Sequence, residues 1–211
     1  MNRLIIVGAG GFGGELLSHV INSPRFLRRE NIELIEFIDD SKALGPAGHR
    51  VAGAIRTFRP GDSDKFILGM GDPSVREEFF RKISSKGGRF LNFVDDTVKI
   101  GVETVLGNGV VICPGTNVTS NVHIGEGCLI NLNCSIGHGS NIGQFSVVHS
   151  NTVISGDVSV GKAATIGGGS AIAPGVRIAD SAFVGIGSIV IRNVKESSRV
   201  FGNPAKPVPR I

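Results

Sequence analysis

The sequence predicts a small α/β unit built on a parallel sheet, followed by a parallel β-solenoid. Three observations carry this expectation. From Val94 to Val190 every sixth residue is a branched aliphatic, a glycine-rich loop separates a short apolar run from a helical pattern near the start, and the sixfold period sets in abruptly near residue 94. The expected division is residues 1–93, 94–195 and a closing tail, 196–211.

In the first part, Leu4 to Val7 reads as a strand, Gly8-Ala9-Gly10-Gly11-Phe12-Gly13-Gly14 as a loop entering a helix, and Leu16, Leu17, Val20 and Ile21 as that helix's apolar stripe. A second run, Leu34 to Ile38, ends in Asp39-Asp40. A third, Phe66-Ile67-Leu68, ends in Gly69-Met70-Gly71-Asp72-Pro73, and Val75 to Ile83 reads as a helix. This alternation implies βαβ units and a parallel, Rossmann-like sheet. The spacing Gly8-x-Gly10-x-x-Gly13 fits the fingerprint in which backbone N–H groups at a helix start approach a diphosphate. The unit is too short for the full two-halved dinucleotide fold. A short-chain dehydrogenase is excluded because its tyrosine acid has no counterpart in a chain without Tyr. The loop is therefore expected to cradle the diphosphate of another nucleotide.

In the second part the aliphatics run Val94, Ile100, Leu106, Ile112, Val118, Ile124, Ile130, Ile136, Ile142 and on to Val190, with a small side chain four residues after most of them. A unit of six suits one short strand and one turn, so three units close a triangular coil of eighteen residues and coils stack at ~4.8 Å. The aliphatics point inward and form the core. In the tail and just before it, Arg192, Lys195, Arg199, Lys206 and Arg210 face one acid, Glu196, which leaves open a phosphate patch or a solvated segment.

Composition narrows the function classes. A net charge of +4 without a long basic run argues against nucleic acid as a partner. No apolar run approaches the ~20 residues that span a membrane, and the opening MNRLIIVGAGG reads as strand and loop, not a signal peptide, so a cytoplasmic protein with no membrane partner is expected. Cys128 and Cys134 occupy small inward positions and are expected in the core, unpaired.

These motifs together resemble the sialic-acid O-acetyltransferase (NeuD)-type sugar acetyltransferases, hexapeptide-repeat acyltransferases that include N-acetyltransferases of nucleotide-linked 4-amino sugars. The resemblance rests on GAGGFGG, FIDD at the second strand, GMGDPSVRE at the third, the hexads and the closing FGNPAKPVP. It implies a left-handed β-helix and an acetyl-CoA-dependent enzyme. The implied acceptor is a nucleotide-linked amino sugar, a 4-amino-4,6-dideoxy sugar above all, in bacterial glycan or O-antigen biosynthesis. It further implies a homotrimer with acetyl-CoA in the groove between two β-helices. By motif match the nucleotide sugar falls to Gly10, Gly11, Phe12, Asp40, Ser41 and Gly71; the coil period, not the motif, puts Asn131 and His149 in one column, where a structural or an acceptor-side role is expected. Acetyl-CoA falls to Val147, Gly168 and Ile186, with Gly156 giving close backbone approach. Many members have His where Phe12 stands.

Of the five histidines, His138 lies in Asn-Leu-Asn-Cys-Ser-Ile-Gly-His, the segment that in the family carries the catalytic base. An imidazole, with an unperturbed pKa of about 6.5, suits proton removal from an attacking amine at neutral pH, and direct transfer needs no covalent intermediate. The coil period adds an independent expectation: eighteen residues on from His138 is Gly156, which leaves room beside the ring, and His149 stands in the column of Asn131, within reach of a hydrogen bond across coils. The family usually places Asp or Glu directly after the histidine, and here that residue is Gly139. Asp157 lies one rung from Gly139, so Asp157 or a water is expected to orient His138. No histidine pair has the spacing of the zinc-binding hexad enzymes, so no metal is expected. Two other readings stand beside the N-acetyltransferase: a sugar or serine O-acetyltransferase, and a non-catalytic nucleotide-sugar-binding scaffold.

Overall fold

The computed structural model describes residues 2–209. Arg3–Val7 (β1), Leu34–Ile38 (β2), Asp64–Leu68 (β3) and Arg89–Phe90 (β4) form a parallel sheet in the order β2-β1-β3-β4. Gly11–Ile21 (α1) and the short Pro24–Arg29 (α2) connect β1 to β2, and Pro73–Ser84 (α3) connects β3 to β4. The order reverses between β1 and β3, and the loops following those two strands are the glycine-rich segments. A crevice at such a reversal is where open α/β sheets take ligands.

From Phe93 onward the chain winds as a left-handed parallel β-helix of two-residue strands. The second residue of each strand is the hexad aliphatic, and it pairs with the aliphatic eighteen residues away, as in Ile136↔Ile154 and Ile130↔Val148. Three sheets result. The first face runs from Phe93–Val94 to Phe183–Val184, the second from Lys99–Ile100 to Ile189–Val190, and the third from Val105–Leu106 to Arg177–Ile178. Ile112, Ile124, Ile130, Ile136, Ile142, Val148, Ile154 and Ile166 are buried on the common axis. The inner residues of all three faces pack in one buried column held by the backbone ladder, so a gap there is not readily filled by rearrangement. Ile154→Ala is expected to destabilise the chain by about 2–5 kcal/mol in chemical denaturation, and a change under about 1 kcal/mol would contradict a dry, close-packed axis.

The corners explain the rest of the repeat. At one position per hexad the backbone turns through positive φ, at Asn121 (54°), Asn133 (54°), Gly139 (67°), Asn151 (60°) and Asp157 (58°), for example, which is why Gly, Asn and Asp recur there. The small inward hydroxyls fasten one coil to the next. Ser140 Oγ donates to Ser155 O at 3.0 Å and accepts from Val158 N–H at 3.2 Å, and Ser146 and Ser170 repeat the pattern. They satisfy corner backbone groups that the strand ladder leaves out.

The sixfold register shortens by two residues in the last coil. Val194, by count a small inward residue, instead pairs with Ile178, and Val200 pairs with Val184. The segment expected as a tail forms a hairpin, Arg199–Gly202 with Ala205–Val208, that continues the first face. Arg199 lies over the Phe183 ring at 4.6 Å, Lys206 is on the outer hairpin strand, and Arg210 lies outside the described residues.

The α/β unit sits on the first face of the prism. Phe93, Val111, Cys113, Leu129 and Val147, which point outward from that face, are buried together with Leu16, Leu17 and Val20 of α1. Phe145 reaches from its corner to Phe80 of α3, with ring centroids 5.5 Å apart. Lys162 Nζ meets Glu77 Oε1 at 2.7 Å, and Ser23 Oγ donates to Asp95 Oδ2 at 2.6 Å. No helix among the described residues is long and apolar enough to cross a membrane.

Candidate active site

The site residues fall into three groups. The first is a cavity of about 380 Å³ at the sheet reversal, lined by Gly8, Gly10, Gly11, Phe12, Asp39, Asp40, Ile55, Gly69, Met70, Gly71, Val75 and Phe79. Its glycines divide by role. A side chain at Gly13 would run into Gly8 O, and one at Gly69 would meet Ile6 Cγ2 at 2.8 Å, so these let β1, α1 and the third loop pack closely. Gly10, Gly11 and Gly71 have nothing within 4 Å of where a side chain would be, so they present open backbone. Gly10 caps α1 without a side-chain hydrogen bond, and the first turn carries no acid. An uncapped helix start facing a cavity suits a phosphate.

The two acids divide likewise. Asp39 is a structural stitch: it accepts from Ala9 N–H at 2.8 Å through one oxygen, and from Ser41 N–H, Ser41 Oγ and Lys42 N–H through the other. Burial pushes its carboxyl up, but these four hydrogen bonds outweigh that and hold it below the usual carboxylate range. Ser41, expected at the substrate, thus has its hydroxyl turned to Asp39 and does not line the cavity. Asp40 does line it and is held by Arg56, Nε to Oδ2, at 3.0 Å.

The second group lies on the edge between the second and third faces. His138 follows the strand Ser135–Ile136, and its ring is exposed. A Cβ on Gly156 would stand 2.7 Å from both Cε1 and Nε2 of that ring, so this edge of the imidazole occupies the space that a side chain there would need. Asp157 Oδ1 is 4.0 Å from His138 Nδ1. The same oxygen occupies the place a side chain at Gly139 would need. Asp157 N–H donates to His138 O at 2.7 Å, which ties the two corners together. Where no carboxylate follows the histidine, one from the next coil stands beside it, about 1 Å too far for a direct hydrogen bond.

The third group lies on the edge between the first and second faces. His149, Ser150, Thr165, Gly167, Gly168, Phe183, Ile186 and Phe201 line an apolar groove of about 370 Å³ just beyond the part of the first face that the α/β unit covers. Burial holds the His149 imidazole below its ordinary pKa, so it is uncharged at neutral pH. The hydrogen bond expected between His149 and Asn131 is not formed: Asn131 Oδ1 accepts from Leu132 N–H at 2.7 Å, the nearer donor. Val147 is fully buried under the α/β unit, so neither its side chain nor its backbone is open to a ligand, contrary to its expected place at acetyl-CoA. Phe183 and Phe201 were not singled out from the sequence, although Phe183 immediately precedes its hexad aliphatic and so must point outward. Ile55 and Phe79 of the first cavity are likewise distant in sequence from the glycine motifs.

The cysteines supply no chemistry. Burial pushes their thiols up, to about 11 for Cys134 and about 12 for Cys128, so none is a ready nucleophile. Among the described residues no group of three or more His, Cys, Asp or Glu side chains is placed to hold a metal ion.

The architecture is a small parallel-sheet α/β unit mounted on a left-handed β-helix of hexapeptide repeats. Residues 3–83 match the PglD N-terminal domain. No curated protein matches the chain. Among solved structures it is similar to WeeI from Acinetobacter baumannii, with 26% identity over 99% of this chain and 100% of that one and a TM-score of 0.89. The acetyltransferase domain of PglB from Neisseria gonorrhoeae matches with 18% identity over 99% and 100% of the two chains, TM-score 0.91. PerB from Caulobacter crescentus, solved in complex with CoA and GDP-perosamine, matches with 24% identity over 99% and 98%, TM-score 0.86. The Caulobacter perosamine N-acetyltransferase has also been solved with a histidine replaced by asparagine or by alanine, in both cases with CoA and GDP-perosamine.

Proposed function

We propose that this protein is an acetyl-CoA-dependent N-acetyltransferase whose acceptor is a nucleotide-linked amino sugar, a 4-amino-4,6-dideoxy sugar in the first instance, in bacterial glycan assembly. The observation that carries this reading is the His138 imidazole, laid against Gly156 with the Asp157 carboxylate behind it, in a chain whose first part matches the PglD N-terminal domain. His138 accepts a proton from the acceptor amine as nitrogen attacks the thioester carbonyl. The C–S bond of the tetrahedral adduct then breaks, the amide forms, and the proton passes to the departing CoA thiolate. A backbone N–H steadies the oxyanion. Raised thiol pKa values favour this direct route over an acyl-cysteine.

The nucleotide diphosphate is assigned to Gly10, Gly11 and the Phe12 N–H, with Asp40 and Gly71 at the cavity rim; acetyl-CoA is assigned to the groove of Gly168 and Ile186 and to the Gly156 edge. The α/β unit covers the first face, and the His138 edge is the one that this face does not share. The prism therefore separates the half-sites of one protomer. A homotrimer, in which the edge bearing Gly168 and Ile186 on one copy meets the His138 edge of the next, supports catalysis without any change of fold. The functional division of residues 1–93 for the acceptor and 94–195 for acyl transfer follows from the same reading.

Asp157→Asn is expected to lower kcat about 2- to 5-fold with KM nearly unchanged, because a solvated carboxylate 4.0 Å away orients the ring without touching the substrate. An unaltered kcat and pH–rate profile would show that Asp157 is idle. The binding half of the reading is tested by thermal shift with UDP-, dTDP- and GDP-linked amino sugars, since a ligand at 100 times its Kd stabilises by about 2.7 kcal/mol. One nucleotide family raising Tm is the expected result; no shift with any of them overturns the acceptor assignment.

A further inference from the structure

Arg76 is the largest fully buried side chain among the described residues, and its position has a bearing on anion binding. Its guanidinium donates to four backbone carbonyls: Nε to Gly127 O at 2.8 Å, Nη1 to Met70 O at 2.6 Å and to Leu68 O at 3.3 Å, and Nη2 to Cys128 O at 3.1 Å. Among the described residues no carboxylate bonds to it. Burial lowers its pKa to about 10, which still leaves it charged at neutral pH. It also stands in the first turn of α3, where a cation opposes the helix dipole. A buried cation at the unfavourable end of a helix and without a counter-ion is costly.

The cavity at the sheet reversal lies one peptide away. Met70 O is held from behind by Arg76, and a trans peptide sends its N–H opposite to its carbonyl, so the Gly71 N–H is directed away from the guanidinium. Gly71 lines the cavity with open space where its side chain would be. No Lys or Arg lines that cavity, and its ionisable side chains are Asp39 and Asp40. A dianion entering it meets the α1 start on one side and, on the other, a backbone wall polarised by the buried Arg76 guanidinium.

We propose that Arg76 is a positioning residue for the nucleotide diphosphate: it orients the Met70–Gly71 peptide as an N–H donor and supplies the positive field that the cavity's own side chains lack. This deepens the functional reading above and rests on it. Through its bonds to Gly127 and Cys128 the same side chain also fixes the cavity loop to the β-helix.

The test compares charged and uncharged ligands by titration calorimetry, using UDP, dTDP and GDP against uridine, thymidine and guanosine. For whichever diphosphate binds the wild type, Arg76→Met is expected to weaken binding about 10- to 100-fold, while affinity for the matching nucleoside changes less than about 2-fold. Equal losses for both ligands, or none for either, overturn the proposal. If the methionine variant does not fold, Arg76→Lys serves, because a buried ammonium titrates where a guanidinium does not. Diphosphate affinity of that variant should fall as pH rises through neutrality more steeply than in the wild type, with nucleoside affinity flat; identical pH profiles for variant and wild type overturn it. A wild type that binds none of the diphosphates refutes the functional reading itself, a separate outcome from failure of the role of Arg76.

Discussion

Replacing His138 with alanine is expected to lower kcat for acetyl transfer about 100- to 10,000-fold, the usual contribution of a positioned general base, with little change in the KM of either substrate. The ring is exposed, and the turn that carries it is held by backbone bonds from Asp157 N–H to His138 O and from Gly139 N–H to Ser120 O, which alanine keeps. Tm should therefore stay within about 1–2 °C of the wild type. Steady-state kinetics alongside a melting curve separates the two effects. A variant that retains more than a tenth of wild-type kcat would remove His138 from the chemistry.

Gly156→Ala tests the same geometry from the neighbouring coil and without touching a polar group. Its φ lies outside the left-handed region, so alanine costs little in the backbone. Its Cβ, however, would stand 2.7 Å from Cε1 and Nε2 of His138, and the nearest atoms that can give way are those of the ring itself. The imidazole swings outward by about an ångström. Displacements of that size cost about 100-fold in rate, so kcat should fall by that order while Tm barely moves. Full activity in Gly156→Ala would mean that the ring position seen here is not the working one.

Most of the fold was legible because its signals are local and repeated. Period six, eighteen residues per coil and alternation of strand with helix follow from side-chain size and backbone geometry, and the pairing His123↔Asn141 or Ile136↔Ile154 is that arithmetic realised. The hairpin that closes the chain was not legible, because the last coil closes two residues early, with Val194 and Val200 taking inner places that a strict count assigns to Glu196 and Gly202. Only packing against Ile178 and Val184 reveals that slip.

The site was legible in part. The neighbours of His138 follow from the coil period, which by itself places Gly156 and Asp157 beside His138 and Gly139. The Asn131–His149 bond was not legible, since a backbone N–H one residue away outcompetes a side chain one coil away. The turn of the Ser41 hydroxyl toward Asp39 was not legible either, because an acid next to a turn serves its own neighbouring residues first. Arg76 carried no signal: in sequence it is one arginine on an amphipathic helix, and only three converging chain segments show it to be buried and bonded to carbonyls.

The measurement that bears most directly on the account is acceptor-dependent release of free CoA thiol. The protein is mixed with acetyl-CoA and each of a panel of UDP-, dTDP- and GDP-linked amino sugars, and thiol is followed with and without acceptor, for wild type and His138→Ala. The account predicts release only when one nucleotide amino sugar is present, with one acetyl group appearing on its nitrogen per thiol, and loss of that release in the variant. Release without acceptor and unaffected by His138→Ala, or no release with any member of the panel, contradicts it.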